Sequence, residues 1–528
     1  MVFPSEPDRK VIDLNAVPKT MAAEPGSKIR VAELFAGVGG FRLGLEGDDY
    51  EFVFSNQWEP GETKQWASKI YEERFGSEGH SNDDIHDIAF NEGQMAETIR
   101  ERVPEHHLLV GGFPCQDYSV ARTISGELGI KGEKGKLWVP IRNIIRDKRP
   151  RPKVVLLENV PRLLNSPANA RGLNFAIILN DLIAMGYHVE WRVINAADYG
   201  MPQQRSRVFI LAYRTYGNSK TDERGKINGP EQFGFSGQPG RVPKTSNGMS
   251  KWLLGEVTTK ASENYEIGPF AKAFPVTGEL GKKPKEISQD LSTYTSKSSP
   301  FGNAGYAWRT NQGHGIPRKS VFWSTKVKAD YDGDYQALGD VLVDEHDPDY
   351  EITDKEKLRM YKYIKGEQKE WRIRKDDRKD AEGIDAGDGN LWDLYQRCTK
   401  GYDTQLWVES RKNPAYKEGV RIGIIYDYTA GAMAYPDPLD KASRTVVTAE
   451  IGKSVSRMRH VIEYEKGKFR GLMPVELEQL NMFPKDWTKI EGISDSKRGF
   501  LMGNALVVGI VERLAGPLAK LIRDRSEQ

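Results

Sequence analysis

Cysteine is nearly absent: Cys115 and Cys398 are the two in 528 residues. So few exclude a disulfide framework and fit a reducing compartment. Long apolar runs are missing as well. None approaches the ~18 residues that span a bilayer, so no membrane segment is expected. The opening stretch MVFPSEPDRKVIDLNAVPKT has prolines and acids but no apolar h-region, so no secretory signal is expected. Charge imbalance is lacking too: 77 Lys and Arg against 75 Asp and Glu leave +2. That balance neither demands nor excludes nucleic acid, because a basic face can be offset by an acidic one. No internal repeat is found, and no metal-binding set is assigned.

What is present is a soluble, globular composition, 38% hydrophobic and 29% charged, in a chain long enough for more than one domain. From Ile29 to Ala212 short apolar runs (IRVAELF, EFVFS, HHLLVGG, VVLLEN, YHVEWRVIN and RVFILA) alternate with amphipathic stretches such as ETKQWASKIYEERF and LNFAIILNDLIAMG. Strands alternating with helices predict an α/β, mostly parallel, doubly wound sheet. Ligands in such sheets bind beyond the carboxyl ends of the strands. Residues 1–27 read as a flexible arm and 28–216 as the first part of the α/β domain. Residues 217–438 are polar and irregular, yet punctuated by Trp252, Trp308, Trp323, Trp371, Trp392 and Trp407, which argues for a second ordered domain. Residues 439–528 return to the first domain and close with the amphipathic NALVVGIVERLAGPLAKLI.

Three strand ends point at one nucleoside-like ligand. VAELFAGVGGFRLGLE reads as strand, glycine-rich turn and helix start. Gly37, Gly39 and Gly40 let the backbone approach a ligand, and the helix N-terminus offers free N–H groups. The stretch lacks the final glycine of the dinucleotide fingerprint. After the next run, SNQWEP offers Trp58 to stack on an adenine or to fill the core, with Gln57 or Glu59 for ribose hydroxyls. SNDDIHD then supplies Asp83 and Asp84 as acceptors for an adenine amino group.

In GGFPCQDYSV a cysteine follows a proline at the end of an apolar run. Cys115 reads as a nucleophile or as a small buried hydrophobe; Pro114 fixes its approach. A free thiol with a pKa of ~8.5 needs nearby cations or N–H groups to become thiolate. VVLLENVPRLL runs an apolar strand into Glu158 and Asn159. A carboxylate there needs a partner or a raised pKa, and suits proton donation to a substrate. MPQQRSRVFILA sets Gln203, Arg205 and Arg207 on one face of extended chain, suited to a phosphate or an oxygen gaining charge. Thiolate, carboxylic acid and arginine together suit conjugate addition at C6 of a pyrimidine, followed by methylation at C5. A base inside a duplex must flip out for this.

These motifs resemble the DNA (cytosine-5) methyltransferases, of the type found in type II restriction–modification systems. AELFAGVGGFRLGLE is similar to that family's S-adenosyl-L-methionine loop, GGFPCQDYS to its Pro-Cys motif, LLENV to its Glu-Asn-Val motif and PQQRSR to its Gln-x-Arg-x-Arg motif. RTVVTAE with MPVELEQLNMFPKDW, and then MGNALVVGIV, resemble its closing blocks. The resemblance implies a Rossmann-like methyltransferase sheet with helices on both faces and a target-recognition domain at 217–438. It implies Cys115 as nucleophile, Glu158 on the flipped cytosine and Arg207 on its O2, with Asn159, Arg205 and Gln203 organising the site and nearby phosphates. Phe35, Ala36, Gly37, Gly39, Gly40, Trp58, Asp84, Ile85, Pro114 and Asn504 would surround the cofactor. Gln57 stands where the family often has an acid, and either its amide or Glu59 would serve the ribose. Ser119 and residues 121–136 resemble the mobile loop that closes over DNA. The expected partners are double-stranded DNA and a cognate restriction endonuclease, with the enzyme a monomer in a prokaryotic cytoplasm. A transfer-RNA substrate, a catalytically silent DNA binder and a small-molecule methyltransferase are the alternatives. The long recognition region argues for DNA, and KLRMYKYIKGEQKEWRIRKDDRKD within it mixes basic and aromatic residues suited either to phosphate contact or to a solvated helix face.

Overall fold

The computed structural model describes residues 27–89, 95–113, 137–214, 246–255, 267–281, 283–287, 291, 296–310, 319–344, 347–400, 404–452 and 454–524. The expectations for the arm, Pro114, Cys115, Ser119 and residues 121–136 lie outside these residues.

All six predicted runs form strands: β1 (Ile29–Leu34), β2 (Tyr50–Asn56), β4 (Leu108–Gly112), β5 (Val154–Asn159), β6 (Tyr187–Asn195) and β7 (Ser206–Arg214), with a two-residue β3 (His80–Ser81) between β2 and β4. In sheet order β3, β2, β1, β4 and β5 are parallel neighbours, and β7 then runs antiparallel between β5 and β6. Side chains alternate faces along a strand. Val31, Val110 and Leu156 accordingly join the core on one side, and Ala32, Leu109 and Leu157 the core on the other. A sheet covered on both faces explains why its strands read as nearly continuous apolar runs. Helices α1 (Gly40–Leu45), α2 (Trp66–Phe75) and α3 (Ile85–Ala89) follow β1, β2 and β3. The closing helix Val508–Asp524 packs on α1 so tightly that a methyl group on Gly44 would lie 2.6 Å from Val511 Cβ. No helix among the described residues is long and apolar enough to cross a membrane.

The region 217–438 divides in a way its composition conceals. Besides the short pair β8 (Val276–Gly278) and β12 (Val327–Ala329), it supplies β9 (Lys285–Ile287), β10 (Ala304–Arg309) and β11 (Ser320–Thr325). The last three extend the central sheet antiparallel beyond β6, in the order β6-β10-β11-β9. Trp252 and Trp323 lie in the same core as β1. The boundary at 217 therefore does not mark the end of the sheet.

A separate core forms further on. Trp371, Ile373, Leu391, Leu394, Trp407 and Ile425 cluster between the hairpin-like pair β13 (Gln368–Ile373) and β14 (Ile425–Ala430) and the helices between them. Cys398 is fully buried in this core, which pushes its thiol pKa up.

Candidate active site

Past β1 the chain enters the left-handed region at Phe35 (φ 54°), Gly37 (φ 57°) and Gly39 (φ 87°). Two positions need glycine for different reasons. Gly37 faces open space, so its positive φ is the constraint; a methyl group on Gly39 would sit 2.2 Å from the Phe75 ring. The loop is held from β2: Ala36 N–H donates to Asn56 O (3.0 Å) and Gly37 N–H to Gln57 Oε1 (2.8 Å). It is held from the returning segment as well, where Trp487 Nε1 donates to Val38 O at 2.9 Å and Leu506 covers Gly40. Composition gave no sign of Trp487; the only hint was that the segment around it resembled a family block.

Trp58, two residues past the end of β2, is 36% exposed. Its neighbours are committed elsewhere. The Gln57 side-chain oxygen is taken by Gly37, and both Glu59 oxygens are engaged, Oε1 with Lys497 Nζ (3.0 Å) and Oε2 accepting from Ala67 N–H (3.1 Å). Glu59 thus caps α2 and ties it to helix Asp495–Asn504, and its oxygens keep further lone pairs able to accept from a hydroxyl. Asp84 Oδ1 accepts from the backbone N–H of His86 (3.0 Å), and Ile85 beside it is buried. Asp83 is drawn aside by the Ser81 hydroxyl and Arg102, which hold its carboxyl below the usual range. Asn56 anchors this third loop through Ser81 O (3.2 Å) and Asp83 O (2.9 Å), a role its sequence context did not reveal. Asn504 is exposed at the end of its helix.

On the adjoining strand ends, Glu158 pairs in register with Gly112 of β4 and Phe209 of β7. Its Oε1 lies 2.8 Å from Arg207 Nε, and the two side chains are 13% and 16% exposed. Burial pushes the Glu158 pKa up; Arg207 and then Arg205 oppose the shift without cancelling it. The carboxyl is therefore easier to protonate than a surface glutamate while still anchored to a guanidinium. Asn159, 1% exposed, donates from Nδ2 to Phe113 O (3.1 Å) and accepts from Val160 N–H (2.8 Å). It fixes the chain two residues before Cys115.

Gln203 and Arg205 do something other than meet phosphate. Both are buried, at 0% and 1% exposure. Gln203 donates to Leu480 O (3.1 Å) and Asn481 Oδ1 (3.0 Å) and accepts from Val446 N–H (3.0 Å). Arg205 donates to Val446 O (3.0 Å) and Gly503 O (2.8 Å). The expected shared face exists, but the returning segment covers it. These two residues staple residues 443–503 to the strand that carries Arg207, and the expected phosphate contact is corrected accordingly.

A sheet with a glycine loop, an exposed tryptophan and a partly buried Glu–Arg pair at its strand ends is the architecture of an S-adenosylmethionine-dependent, Rossmann-like methyltransferase. The chain belongs to the C-5 cytosine-specific DNA methylases, whose family model matches residues 29–520, and it is a DNA (cytosine-5) methyltransferase. It is 34% identical over 498 residues to the type II methyltransferase M.Sau3AI of Staphylococcus aureus, covering 94% of this chain and 96% of that one. The type II methyltransferase M.HhaI of Haemophilus parahaemolyticus is 33% identical over 186 residues, 35% of this chain and 49% of its own. The first of these alignments spans nearly the whole chain and so takes in most of residues 217–438. A solved Entamoeba histolytica methyltransferase, EhMeth, superposes with a TM-score of 0.46 at 13% identity, covering 93% of this chain and 98% of that one.

Proposed function

We propose that the enzyme methylates C5 of a cytosine flipped out of a specific duplex DNA sequence, with Cys115 as nucleophile at C6. The Glu158–Arg207 pair carries this reading. A carboxyl with a raised pKa suits proton donation toward N3 of the base, which makes C6 electrophilic. Arg207, whose Nε lies 2.8 Å from Glu158 Oε1, would stabilise charge developing on O2. Asn159 holds Phe113 O, two residues before Cys115 in the chain. Once C5 carries the methyl group, loss of its proton and expulsion of the thiolate restore the ring.

The chain's own residues fit S-adenosyl-L-methionine. Phe35, Ala36, Gly37, Gly39, Gly40, Trp58, Asp84 and Ile85 would line its site, with Pro114 and Asn504 closing it; open space beside Gly37 and the exposed Trp58 ring support this. Bound there, the cofactor supplies an electrophilic methyl group on a sulfonium. Gln57 or Glu59 would serve the ribose hydroxyls, and their contacts with Gly37 N–H and Ala67 N–H also brace the cradle.

Names of the relatives, all type II methyltransferases, support a cognate restriction endonuclease as functional partner; the enzyme acts as a monomer. The test is transfer of labelled methyl to duplex DNA and, in parallel, to transfer RNA, with digestion to nucleosides. 5-Methylcytosine in DNA is the expected product. Label confined to RNA would overturn the substrate assignment while leaving the chemistry.

A further inference from the structure

The basic, aromatic stretch 357–380 separates into buried and outward-facing parts. Tyr361, Lys365 and Trp371 are 1%, 0% and 0% exposed and serve the interior. Lys365 pairs with Asp437 at 3.2 Å. What faces outward is one side of the β13–β14 ribbon. Its opposite side carries Trp371, Ile373 and Ile425 into the module core.

In the ribbon's register Glu370 lies opposite Tyr428 and Arg372 opposite Tyr426. The arginines lean diagonally: Arg372 lies over the Tyr428 ring at 3.4 Å and Arg374 over the Tyr426 ring at 5.7 Å. Exposure rises from root to tip, with Glu370 buried, Arg372 34% exposed at its side chain, Tyr426 37% exposed and Arg374 exposed. Glu370 Oε2 accepts from Arg372 Nε (3.3 Å) and Nη2 (3.1 Å), which orients that edge of the guanidinium. A guanidinium laid on an aromatic face keeps its in-plane N–H groups free and loses little entropy on meeting an anion. Side chains two apart on a strand are ~6.6 Å apart, close to the step between successive phosphates of one nucleic-acid strand.

The root is fixed to the catalytic half. Arg457 Nη1 donates to Ile364 O (2.7 Å) and Gly366 O (3.0 Å), and its other terminal nitrogen donates to Gly431 O. An anion held at the ribbon tip is therefore held in register with the return segment that Gln203 and Arg205 staple beside Arg207.

We propose that Arg372 and Arg374, braced by Tyr428 and Tyr426, form a clamp on the phosphate backbone of the DNA duplex that contributes affinity and register without reading bases. This rests on duplex DNA as the substrate, so wild-type transfer to the duplex is established first.

The full-length Arg372→Gln/Arg374→Gln variant is then compared with wild type for duplex affinity over a salt series and for the sequence it methylates. Each lost phosphate contact lowers the log–log salt slope by ~0.9, so a drop of about 1.8 is expected, with weaker binding to cognate and unrelated duplexes alike. The methylated sequence stays the same. Lys412→Gln/Lys417→Gln, an equal charge change on exposed positions elsewhere in the module, leaves the slope unchanged. Arg372→Lys/Arg374→Lys keeps the slope and loses part of the affinity. The clamp is overturned by an unchanged slope in the glutamine variant, or by an equal drop in the Lys412/Lys417 control. It is equally overturned by lysine variants as defective as the glutamines, or by a relaxed methylation sequence, which would make these arginines base readers.

Discussion

Arg205 in the central sheet and Arg372 in the module centred on 368–430 both project from β-structure, and they meet opposite fates. The first is 1% exposed and spends its donors on carbonyls from Val446 and Gly503; the second is 34% exposed at its side chain and lies on a tyrosine ring. Burying a guanidinium costs several kcal/mol unless hydrogen bonds compensate, so one found buried is committed to architecture. A stacked, half-exposed one keeps donors for an incoming anion. The contrast extends to the regions themselves. The sheet is covered on both faces and places its reactive groups at strand ends. The module has its own small core and is rooted through Arg457. The proposed division puts chemistry on one core and the encounter with DNA on another.

If that division holds, excising the module has the largest effect. Gln368 and Ala430 are paired neighbours, so a short Gly-Ser linker can join residues 367 and 431 across the gap. The shortened protein is expected to fold and to bind S-adenosyl-L-methionine by calorimetry while losing site-specific methylation of duplex DNA. Retention of wild-type specificity would place the reading surface elsewhere. Next comes Glu158→Gln, which keeps shape and removes the proton; turnover is expected to fall by about 10²-fold or more, the scale of general acid catalysis. With single-turnover kinetics as the readout, a full-rate variant removes Glu158 from the catalytic set. A smaller, purely structural effect is expected at Arg205→Met. It leaves two buried carbonyls unpaired and should cost about 2–4 kcal/mol in a denaturant titration. Loss of DNA affinity at unchanged stability would instead restore the phosphate role.

The strands were legible because a sheet buried on both faces writes itself as apolar runs; all six appeared where IRVAELF through RVFILA placed them. Glu158 and Arg207 stood out for the same reason, as charges at the ends of such runs. What covers a face was not legible. Gln203 and Arg205 do share one, but their partners lie 241 to 298 positions away in the chain, and no local pattern reports that. The strands AGYAWR and SVFWST, six residues each like β1 and β5, were hidden by their polar, irregular setting. Asn159 was noticed as a neighbour of Glu158, but its bond to Phe113 O depends on strand register, which spacing alone does not supply.

The last expected effect is one of pH, and it concerns the floor of the glycine loop. Glu33 is fully buried beneath that loop and accepts from Tyr71 Oη at 3.0 Å. Burial raises its pKa from 4.5 to about 8, against the opposing hydrogen bond from Tyr71 and the charge of Arg42. The folded protein thus keeps a proton that the unfolded chain releases near pH 4.5. Stability from this group is complete below that pH, declines by about 1.4 kcal/mol per pH unit above it, and is fully lost once pH passes the folded value. His80, stacked on Tyr71 at 4.6 Å, has its pKa lowered to about 4 by burial and stays neutral throughout this window. Glu33→Gln keeps the shape and an oxygen for Tyr71 but cannot titrate. Between roughly pH 6 and pH 9 the wild-type Tm is expected to fall more steeply than that of the variant. Parallel slopes would show that Glu33 is already ionised in the fold, and that the glycine loop rests on a buried charge rather than on a neutral acid.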